Sequence, residues 1–333
     1  MTSPLVVSNV EARNYFIACQ GLGAAPVGKL SPDGLLALIR TLGFVQIDSI
    51  NTVARAHDMI LFARNQSYRP HQLKHLLESE RSLFEHWTHD AAVIPTEFYP
   101  YWRHRFARQQ RHLLERWRKW RGAGFEQALE GILDKVSEQG PTRTRDIKSS
   151  RVKKGDGWWD WHPEKTALEF HWHTGTLAIA GRDGFQKIYD LSENVIPAHH
   201  RTAEVSESRF IDWACRSALR RLGMATSGEI AAFWALITPK EAAAWVRDRR
   251  AAADLVDIWV EPATGGQATK AVAFTGISDE LARLVDPPKR LRVLSPFDPL
   301  IRDRKRCLRL FGFDYRIEVF VPKEKRKYGE PLA

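Results

Sequence analysis

The sequence predicts an α+β protein that is mostly helical, built from tandem winged helix-turn-helix domains with a partial β region at the C-terminal end. The first observation is a weak internal repeat, in which residues 140–147 align with residues 223–230. In both copies a glycine is placed to end one helix, and a Thr/Ser region is placed to cap the next. The second observation is that a helix and a β-hairpin follow each copy, which completes a winged helix.

The elements after the two repeats follow from the local pattern. After the first repeat, residues 164–173 are predicted to be helical, and residues 177–190 form two short strands around a Gly-Arg-Asp-Gly turn. After the second repeat, residues 239–250 are predicted to be helical. Residues 257–261 and 268–274 lie on either side of a Pro/Gly-rich turn and are predicted to form another hairpin.

A third unit of the same kind is predicted upstream of both repeats. Residues 31–42, 52–64 and 70–79 have the pattern of three helices, and the alternating residues 83–94 form the wing. Three tandem winged helices are therefore expected. The expected segments are a first unit at 1–100, which carries a Gln-x-Asp motif, a basic connector helix at 101–125, a second unit at 126–200, a third unit at 201–290, and a truncated C-terminal β region at 291–333.

The connector helix is strongly basic. Residues 101–121 contain seven arginines and one lysine but only one glutamate. As a helix this segment carries positive charge on most of its circumference, so it cannot be wholly buried. It either follows a phosphate backbone or is a solvated connector whose charges pair with acids elsewhere, and we favour some contact with a backbone.

The composition favours a polyanionic partner. The 333 residues include 50 Lys+Arg and 40 Asp+Glu, a formal charge of 50 − 40 = +10, and a basic protein rich in aromatic residues suits nucleic acid. Because the 12 tryptophans fit a hydrophobic core equally well, composition alone leaves both interpretations open. Cys19, Cys215 and Cys307 are odd in number and far apart, which fits neither a disulfide framework nor a zinc site.

Neither a membrane segment nor a secretory signal is expected. No apolar run approaches the roughly 18 residues that are needed to cross a bilayer, and the N-terminal residues do not resemble a signal peptide. We therefore expect a reduced, cytoplasmic protein that requires no metal or other cofactor.

The segment best suited to chemistry lies between the first two helices of the first unit, where a winged helix has a short strand. Side chains alternate along a strand, so Gln46 and Asp48 are expected to share one face, with Cα atoms about 6.6 Å apart. Val45 and Ile47 then point into the core. An amide and a carboxylate on a rigid element form a preorganised pair, although a Gln-x-Asp tripeptide by itself is usually solvated.

Longer blocks around this pair resemble the motifs of the bacterial YcaQ-like, AlkX/AlkZ-related DNA glycosylases. The blocks are residues 42–57 (LGFVQIDSINTVARAH), 83–95 (LFEHWTHDAAVIP), 294–306 (LSPFDPLIRDRKR) and 310–322 (LFGFDYRIEVFVP). They span nearly the whole chain in the family's order, and they are far more specific than the tripeptide.

The resemblance implies tandem winged helices that form a concave basic surface, and a monofunctional glycosylase that acts on alkylated purines. The YcaQ-like branch of the family carries Gln-x-Asp and is associated with the unhooking of interstrand crosslinks, whereas the AlkZ-like branch carries Gln-x-Gln. By that match Gln46 and Asp48 correspond to the catalytic pair, and Asp48 places this chain in the YcaQ-like branch. The implied partner is double-stranded DNA with alkylation damage or crosslinks, and we expect a nucleoid-associated monomer.

The expected chemistry needs few groups. Oxygen glycosidases usually need two carboxyl groups, but a purine alkylated at N7 is already cationic and leaves as a neutral base, so no general acid is required. Asp48 can stabilise the oxocarbenium-like sugar and accept a proton from the attacking water, and Gln46 can hold that water through its amide. Neither a metal nor a lysine Schiff base is required, so no strand-cleaving lyase step is expected.

Further side chains are candidates for DNA contact because they lie near these motifs or at a predicted wing tip. They are Asn51, Arg55, His57, His86, Arg182, Arg302, Arg304 and Lys305. Arg182, at the tip of the second wing, can contact DNA or remain in solvent. The run that begins at Arg302 can contact DNA, or it can start a solvated helix with Asp298 as its cap or ion-pair partner. His86 and His89 are not expected to bind a metal, since residues i and i+3 of a strand face opposite sides.

The C-terminal end departs from the family pattern. Relatives continue with further strands beyond residues 325–329, whereas this sequence ends at residue 333. Residues 316–322 have the pattern of a strand, which would then have an unpaired edge. The alternative function is a non-catalytic winged-helix DNA-binding protein, such as a transcriptional regulator or an inactive truncated relative.

Overall fold

The computed structural model describes residues 5–51, 53–121, 125–147, 162–318 and 321–327. Within these residues the protein has a mixed α+β structure, about half helical, with small sheets. The predicted α+β class is confirmed at this level, and the tandem winged-helix arrangement stays a prediction.

Several helices begin with a side-chain cap. Ser8, Ser31, Thr226 and Thr238 each accept a hydrogen bond from a backbone N–H in the first turn of the helix that follows. A π-helical turn at His75–Ser79 continues the fourth helix. The α-helices of the described residues are α1 (Asn9–Cys19), α2 (Pro32–Leu42), α3 (Ala56–Phe62), α4 (Pro70–Lys74), α5 (Tyr99–Arg121), α6 (Glu126–Gln139), α7 (Pro163–His173), α8 (Ser192–Val195), α9 (Ala198–Thr202), α10 (Glu207–Leu222), α11 (Ser227–Trp234), α12 (Pro239–Ala251), α13 (Ile277–Ala282) and α14 (Arg304–Phe311).

The strands are short and pair mainly as hairpins. Those of the described residues are β1 (Leu5–Val7), β2 (Val45–Gln46), β3 (Leu83–Trp87), β4 (Ala91–Pro95), β5 (Thr142–Arg143), β6 (Leu177–Asp183), β7 (Gln186–Leu191), β8 (Leu255–Val260) and β9 (Thr269–Phe274). Strand β3 pairs with β4, β6 with β7 and β8 with β9, all antiparallel, which confirms the three predicted hairpins. Strand β1 joins β8 in parallel, with Leu5 opposite Ile258.

The chain divides into two compact units. The first comprises Met1–Pro70, Thr88–Asp90 and Ile211–Ala333, and the second comprises His71–Trp87 and Ala91–Phe210. The division into five segments that was expected from the sequence stays a prediction.

The first unit has a core of aliphatic and aromatic side chains. Leu35, Ile39 and Leu42 of α2 are fully buried because they recur on one face of that helix. Phe16 of α1 and Trp234 of α11 are also fully buried. The removal of these apolar surfaces from water is the main stabilising contribution to the unit.

A buried ion pair connects the loop before α14 to the turn that follows α3. The Arg64 guanidinium donates to both carboxylate oxygens of Asp298, at 2.7 and 3.0 Å, and both side chains have 0% exposure. Arg64 also donates to the main-chain oxygens of Gln20 and Ile60, and Asp298 accepts from the backbone N–H of Leu300. Asp298 was considered as the cap or ion-pair partner of the basic run that follows it; its partner is instead Arg64, which precedes it by 234 positions, and the cap of α14 is Asp303.

The second unit is built around the basic helix α5 and a tryptophan-rich core. Trp102 and Trp172 are fully buried. Trp117 packs with Phe125 and Phe170 in a separate buried cluster. These tryptophans are therefore core residues. They are not available to stack on the bases of a nucleic acid.

The two repeats that predicted helix-turn-helix motifs differ in the structure. In the second, Gly223 has a φ of +72° after α10, and Thr226 caps α11 through a reciprocal capping box. In the first, Gly140 ends α6 with a φ of +76°, but the chain continues as strand β5 and a single 3₁₀ turn. Asp146 closes that turn by accepting from the backbone N–H and the guanidinium of Arg143.

The C-terminal region also differs from the prediction. Helix α14 is the main element after residue 290, and no strand forms among the described residues of the segment predicted as β. Residues 316–318 are described without regular secondary structure. A segment becomes a strand only when its backbone groups pair with those of a neighbouring strand, and the apolar alternation of this sequence could not provide that neighbour.

We predict that Asp298→Asn lowers the free energy of unfolding by about 3–5 kcal/mol, because the Arg64 guanidinium then stays buried without its counter-charge. Urea unfolding followed by tryptophan fluorescence measures the change. The matched control is Asp248→Asn at the exposed Arg247–Asp248 pair, where about 1 kcal/mol or less is expected. Equal losses in the two variants would contradict a stabilising role for the buried pair.

Candidate active site

Helix α2 and strand β2 position the side chain of Gln46. Helix α2 ends at Gly43, whose φ of +87° favours glycine. The space around this glycine is also closed, since a Cβ atom there would lie 2.5 Å from Arg221 Nε and 2.7 Å from Trp234 Cη2. The tight turn at Gly43 therefore sets the start of the strand that carries Gln46.

Gln46 and Asp48 differ in their exposure. Strand β2 comprises only Val45–Gln46, so it is shorter than expected and Asp48 lies two residues beyond its end. Gln46 is 6% exposed and lies in the protein interior, whereas Asp48 is partly exposed. The amide and the carboxylate are neighbours in the chain, but they have different access to solvent.

The carboxylate of Asp48 is held by the loop that follows it. Its Oδ1 accepts a hydrogen bond of 2.7 Å from the backbone N–H of Ile50, which is the geometry of an Asx turn. No other hydrogen bond of this carboxylate is found with the described residues. One oxygen thus fixes the orientation of the group, and the other is available to a ligand.

A cavity of about 390 Å³ lies next to Gln46 within the first unit. Its volume falls in the range of small-molecule sites, and Phe16, Phe233 and Phe297 form part of its wall. The polar and charged lining residues are Gln46, His89, Asp90, Glu229, Arg302, Asp303, Arg304 and Arg306. Asp48 is not among the lining residues, so the cavity brings Gln46 together with other acidic residues, namely Asp90, Glu229 and Asp303.

His89 and Asp90 lie in the turn between β3 and β4, which belongs to the first unit. His89 Nε2 is 3.0 Å from the main-chain oxygen of Phe233, and the main-chain oxygen of Asp90 accepts from the backbone N–H of Thr88 at 2.9 Å. Sequence reasoning rejected a metal-ligand role for His89 but missed that this residue lines the same cavity as Gln46. The available signal was a His-Asp pair at a hairpin turn, because turns often carry functional side chains.

A buried charge network forms one wall of the cavity. Arg306 is 3% exposed and donates to Glu229 at 3.3 Å and to the main-chain oxygens of Leu222 and Met224. Arg309 donates to the same Glu229 carboxylate. Burial raises the pKa of Glu229, but the charges of Arg306 and Arg309 outweigh burial and hold the pKa below its usual value.

Arg302 and Arg304 add positive charge to the cavity. The guanidinium carbon of Arg302 lies 5.0 Å from the centre of the Phe44 ring, in a cation–π arrangement. Burial lowers the pKa of Arg302 to about 10, against an opposing effect of Asp303, so the side chain remains cationic near neutral pH. Arg304 and the adjacent Lys305 are exposed.

Three further candidates for DNA contact lie after Asp48. Asn51 is exposed, and Arg55 and His57 are partly exposed at the start of α3. His57 Nε2 lies 3.8 Å from the carboxylate of Asp58. Each of these side chains is accessible to solvent, and their contact with DNA stays a prediction.

Two of the DNA-contact candidates are instead engaged within the second unit. His86 is 2% exposed, accepts from Trp102 Nε1 at 3.2 Å, and places its Nε2 2.9 Å from the main-chain oxygen of Trp172. Arg182 donates to both carboxylate oxygens of Glu85, at 2.8 and 2.6 Å. We therefore do not retain either residue as a DNA contact, because His86 is buried and Arg182 is held in a bidentate ion pair.

Several arginines of the basic helix α5 have partners inside the second unit. Arg103 donates to the main-chain oxygen of Ala203, and Arg108 pairs with Glu207 at 2.9 Å. These contacts fit the connector interpretation, in which the charges pair with groups elsewhere. Contact between α5 and a phosphate backbone stays a prediction.

Two kinds of feature are absent from the described part of the chain. None of its helices combines the length and the apolar character that crossing a membrane demands. Its His, Cys, Asp and Glu side chains form no group of three or more that could hold a metal ion.

A sequence model described as "DNA glycosylase AlkZ-like" matches residues 39–333. The chain belongs to the AlkZ-like family of DNA glycosylases. The match includes Gln46, Asp48 and all the cavity residues except Phe16. The protein is accordingly a DNA glycosylase, and DNA is its substrate.

The fold agrees with this assignment. The structure is similar to that of the Streptomyces sahachiroi DNA glycosylase AlkZ, with a TM-score of 0.60 and 14% sequence identity over 88% of this chain and 76% of that chain. At this level of identity the likeness concerns the fold alone. The family membership predicted from the motifs is confirmed by the sequence match, and the placement in the YcaQ-like branch stays a prediction.

Gly43→Ala is predicted to lower the free energy of unfolding by about 2–4 kcal/mol, because it combines backbone strain with a steric clash. The control is Gly265→Ala, which has a φ of +74° but open space around it, so that about 1 kcal/mol of strain is expected. Urea unfolding measures both values. If Gly43→Ala costs no more than the control, the packing argument for this turn is wrong.

The stability of the wild type is predicted to decline as the pH falls below about 4.5, the reference pKa of Glu229. Because the pKa of Glu229 is lower in the folded state, the unfolded state binds more protons in this range, and the stabilisation present above it is lost. Glu229→Gln should therefore be less stable at neutral pH and decline less steeply in acid.

Urea unfolding at a series of pH values tests this prediction. The exposed Glu261→Gln variant is the control and should keep the acid slope of the wild type. Identical slopes for wild type and Glu229→Gln would contradict the assigned role of this carboxylate.

Proposed function

We propose that this protein is a monofunctional DNA glycosylase that hydrolyses the N-glycosidic bond of cationic N7-alkylated purines in duplex DNA. The observation that carries the proposal is the position of Gln46, which lies at a cavity lined by arginines and aromatic side chains, two residues before a carboxylate. Arginines suit the DNA backbone, and aromatic rings suit a nucleobase.

The proposed mechanism uses one carboxylate and one amide. The C1′–N9 bond breaks, its electron pair moves to the cationic purine, and the purine leaves as a neutral base without protonation. Asp48 stabilises the oxocarbenium-like sugar and takes a proton from the water that attacks C1′. Gln46 orients that water, because its amide can both donate and accept hydrogen bonds.

A strand-cleaving lyase step is not part of the proposal. Such a step uses an amine that forms a Schiff base with the sugar. The described residues that line the cavity include arginines but no lysine. The expected product is therefore an intact strand with an abasic site.

The carboxylate of Asp90 is the alternative to Asp48 as the base. It lines the same cavity as Gln46, whereas Asp48 does not. Asp48 nevertheless has the Gln-x-Asp position, and the free oxygen of its carboxylate faces no other described hydrogen-bond partner. We therefore assign the base to Asp48 and compare the two residues in the experiment below.

The proposal includes the unhooking of interstrand crosslinks. A purine that is tied to the opposite strand cannot rotate freely into an enclosed pocket, so its enzyme must offer a carboxylate that is accessible from the surface. The partial exposure of Asp48 supports this substrate class. The binding of the flanking duplex is assigned to the tandem winged-helix elements of a monomer, of which the pair α11 and α12 with the hairpin of β8 and β9 is one example.

The test is release of base from a duplex that contains N7-methylguanine. Wild type is expected to produce abasic sites, seen as strand breaks only after alkali treatment. Asp48→Asn should lower the rate by about 100-fold or more, because the general base is lost, and Gln46→Ala should lower it as well.

The outcomes separate the alternatives. If Asp90→Asn abolishes release while Asp48→Asn retains it, the base is Asp90. If wild type binds the duplex but releases no base from it or from a nitrogen-mustard-crosslinked duplex, the protein acts on these duplexes only as a DNA-binding protein and the proposed reaction is wrong.

A further inference from the structure

The side chain of Arg302 differs from those of its buried neighbours Arg64 and Arg306, because none of its nitrogens has a hydrogen-bond acceptor among the described residues. Its Nε atom is buried and has no hydrogen-bond partner among the described residues. Its guanidinium forms neither a hydrogen bond nor an ion pair with any described side chain. It instead lies over the Phe44 ring in a cation–π arrangement. A buried polar group without an acceptor is costly, so such a group in a folded protein calls for an explanation.

Arg64 and Arg306, two buried arginines of the same unit, show the contrast. Arg64 donates to Asp298 and to two main-chain oxygens. Arg306 donates to Glu229 and also to two main-chain oxygens. The chain thus supplies a carboxylate and carbonyls for each of these cations, but it supplies none of them to Arg302.

The backbone holds Arg302 rigidly although its side chain lacks an acceptor. Its N–H donates to the main-chain oxygen of Asp298 at 2.9 Å, and Asp298 is itself fixed by the buried pair with Arg64. The Phe44 ring, two residues before Gln46, supports the guanidinium from one side. A side chain that is fixed before its ligand arrives loses little entropy on binding.

The position of Arg302 identifies the class of its ligand. Arg302 and Gln46 line the same cavity of about 390 Å³, so the ligand lies beside the proposed reaction centre. A cationic purine is disfavoured next to a guanidinium because the charges are alike, whereas a phosphodiester is anionic and matches the guanidinium fork with two oxygens. In DNA, a phosphodiester lies on each side of the target sugar.

We propose that Arg302 binds one particular phosphodiester adjacent to the target nucleotide. This contact places the C1′ atom of the target nucleotide beside Gln46. The proposal rests on the proposed function for the identity of the target nucleotide. Arg302 acts as a positioning residue, since it holds the backbone and does not touch the bond that breaks.

The experiment is a scan of DNA binding with duplexes in which one phosphate at a time is replaced by an uncharged methylphosphonate. For wild type, replacement at the gripped position should weaken binding by about 10- to 100-fold, as expected for a charge-assisted bidentate contact. Arg302→Gln should bind natural DNA more weakly by a similar factor and should show no further loss at that one position. For Arg302→Gln, the slope of log Kd against the logarithm of the salt concentration should be smaller, by the amount that corresponds to the loss of about one phosphate contact.

Two further variants make the result specific. Lys289→Gln removes an exposed cation of the same unit that does not line the cavity, and it should leave the position-dependent loss of the wild type intact. Arg302→Lys keeps the charge but loses the planar fork, so it should retain part of the loss at the same position. Arg302→Lys also gives a result if Arg302→Gln does not fold.

The outcomes are distinct from those of the base-release assay. If Arg302→Gln and wild type lose affinity equally at every methylphosphonate position, the phosphate assignment is overturned, even when wild type is an active glycosylase. If the position-specific loss depends on Arg302 but no base is released, the phosphate contact stands and only the proposed reaction fails.

Discussion

The buried ion pair between Arg64 and Asp298 is the constraint on which the candidate site depends. The loop around Asp298 provides Phe297 and Arg302 to the cavity, and the backbone of Arg302 is bonded to Asp298 itself. Arg64 follows α3, and α3 packs against strand β2, which carries Gln46. The pair therefore links both sides of the cavity. Because both side chains are buried, neither charge can be solvated by water when the pair breaks, which makes the link strong.

The positive charges that line the cavity affect the departure of the base. Under the proposed function the substrate purine is cationic and the product base is neutral. The positive charges of Arg302 and Arg304 disfavour a cationic purine nearby but do not disfavour the neutral base, so they favour departure once the bond begins to break. The same charges attract the phosphates on either side of the lesion. Under the same proposal, the negative charge that stabilises the sugar is that of Asp48, which does not line the cavity.

The sequence located part of the site and missed the rest for physical reasons. Gln46 and Asp48 were indicated by a specific motif that brings them together within three residues; the family match covers them, and their catalytic role stays a prediction. Asp90 lies 44 positions from Gln46 in the chain, and only the folded turn between β3 and β4 brings it to the same cavity. His86 was proposed as a DNA contact from its place in a motif, but Trp102 and Trp172 enclose it. The exposure of a side chain depends on which distant residues pack against it, and a local sequence pattern does not identify those residues.

The sequence by itself determined the elements whose causes are local. The cap in the second repeat, at Thr226, and the hairpins bounded by turn residues were predicted close to their observed positions, because their stabilising contacts lie within a few residues. The tertiary structure alone decided that Arg64 neutralises Asp298 and that residues 316–318 form no strand. It also decided that Arg302 is left beside Gln46 without an acceptor, while Arg182 has one. Each of these outcomes depends on a partner supplied from far along the chain, and folding selects that partner by packing and charge and not by sequence separation.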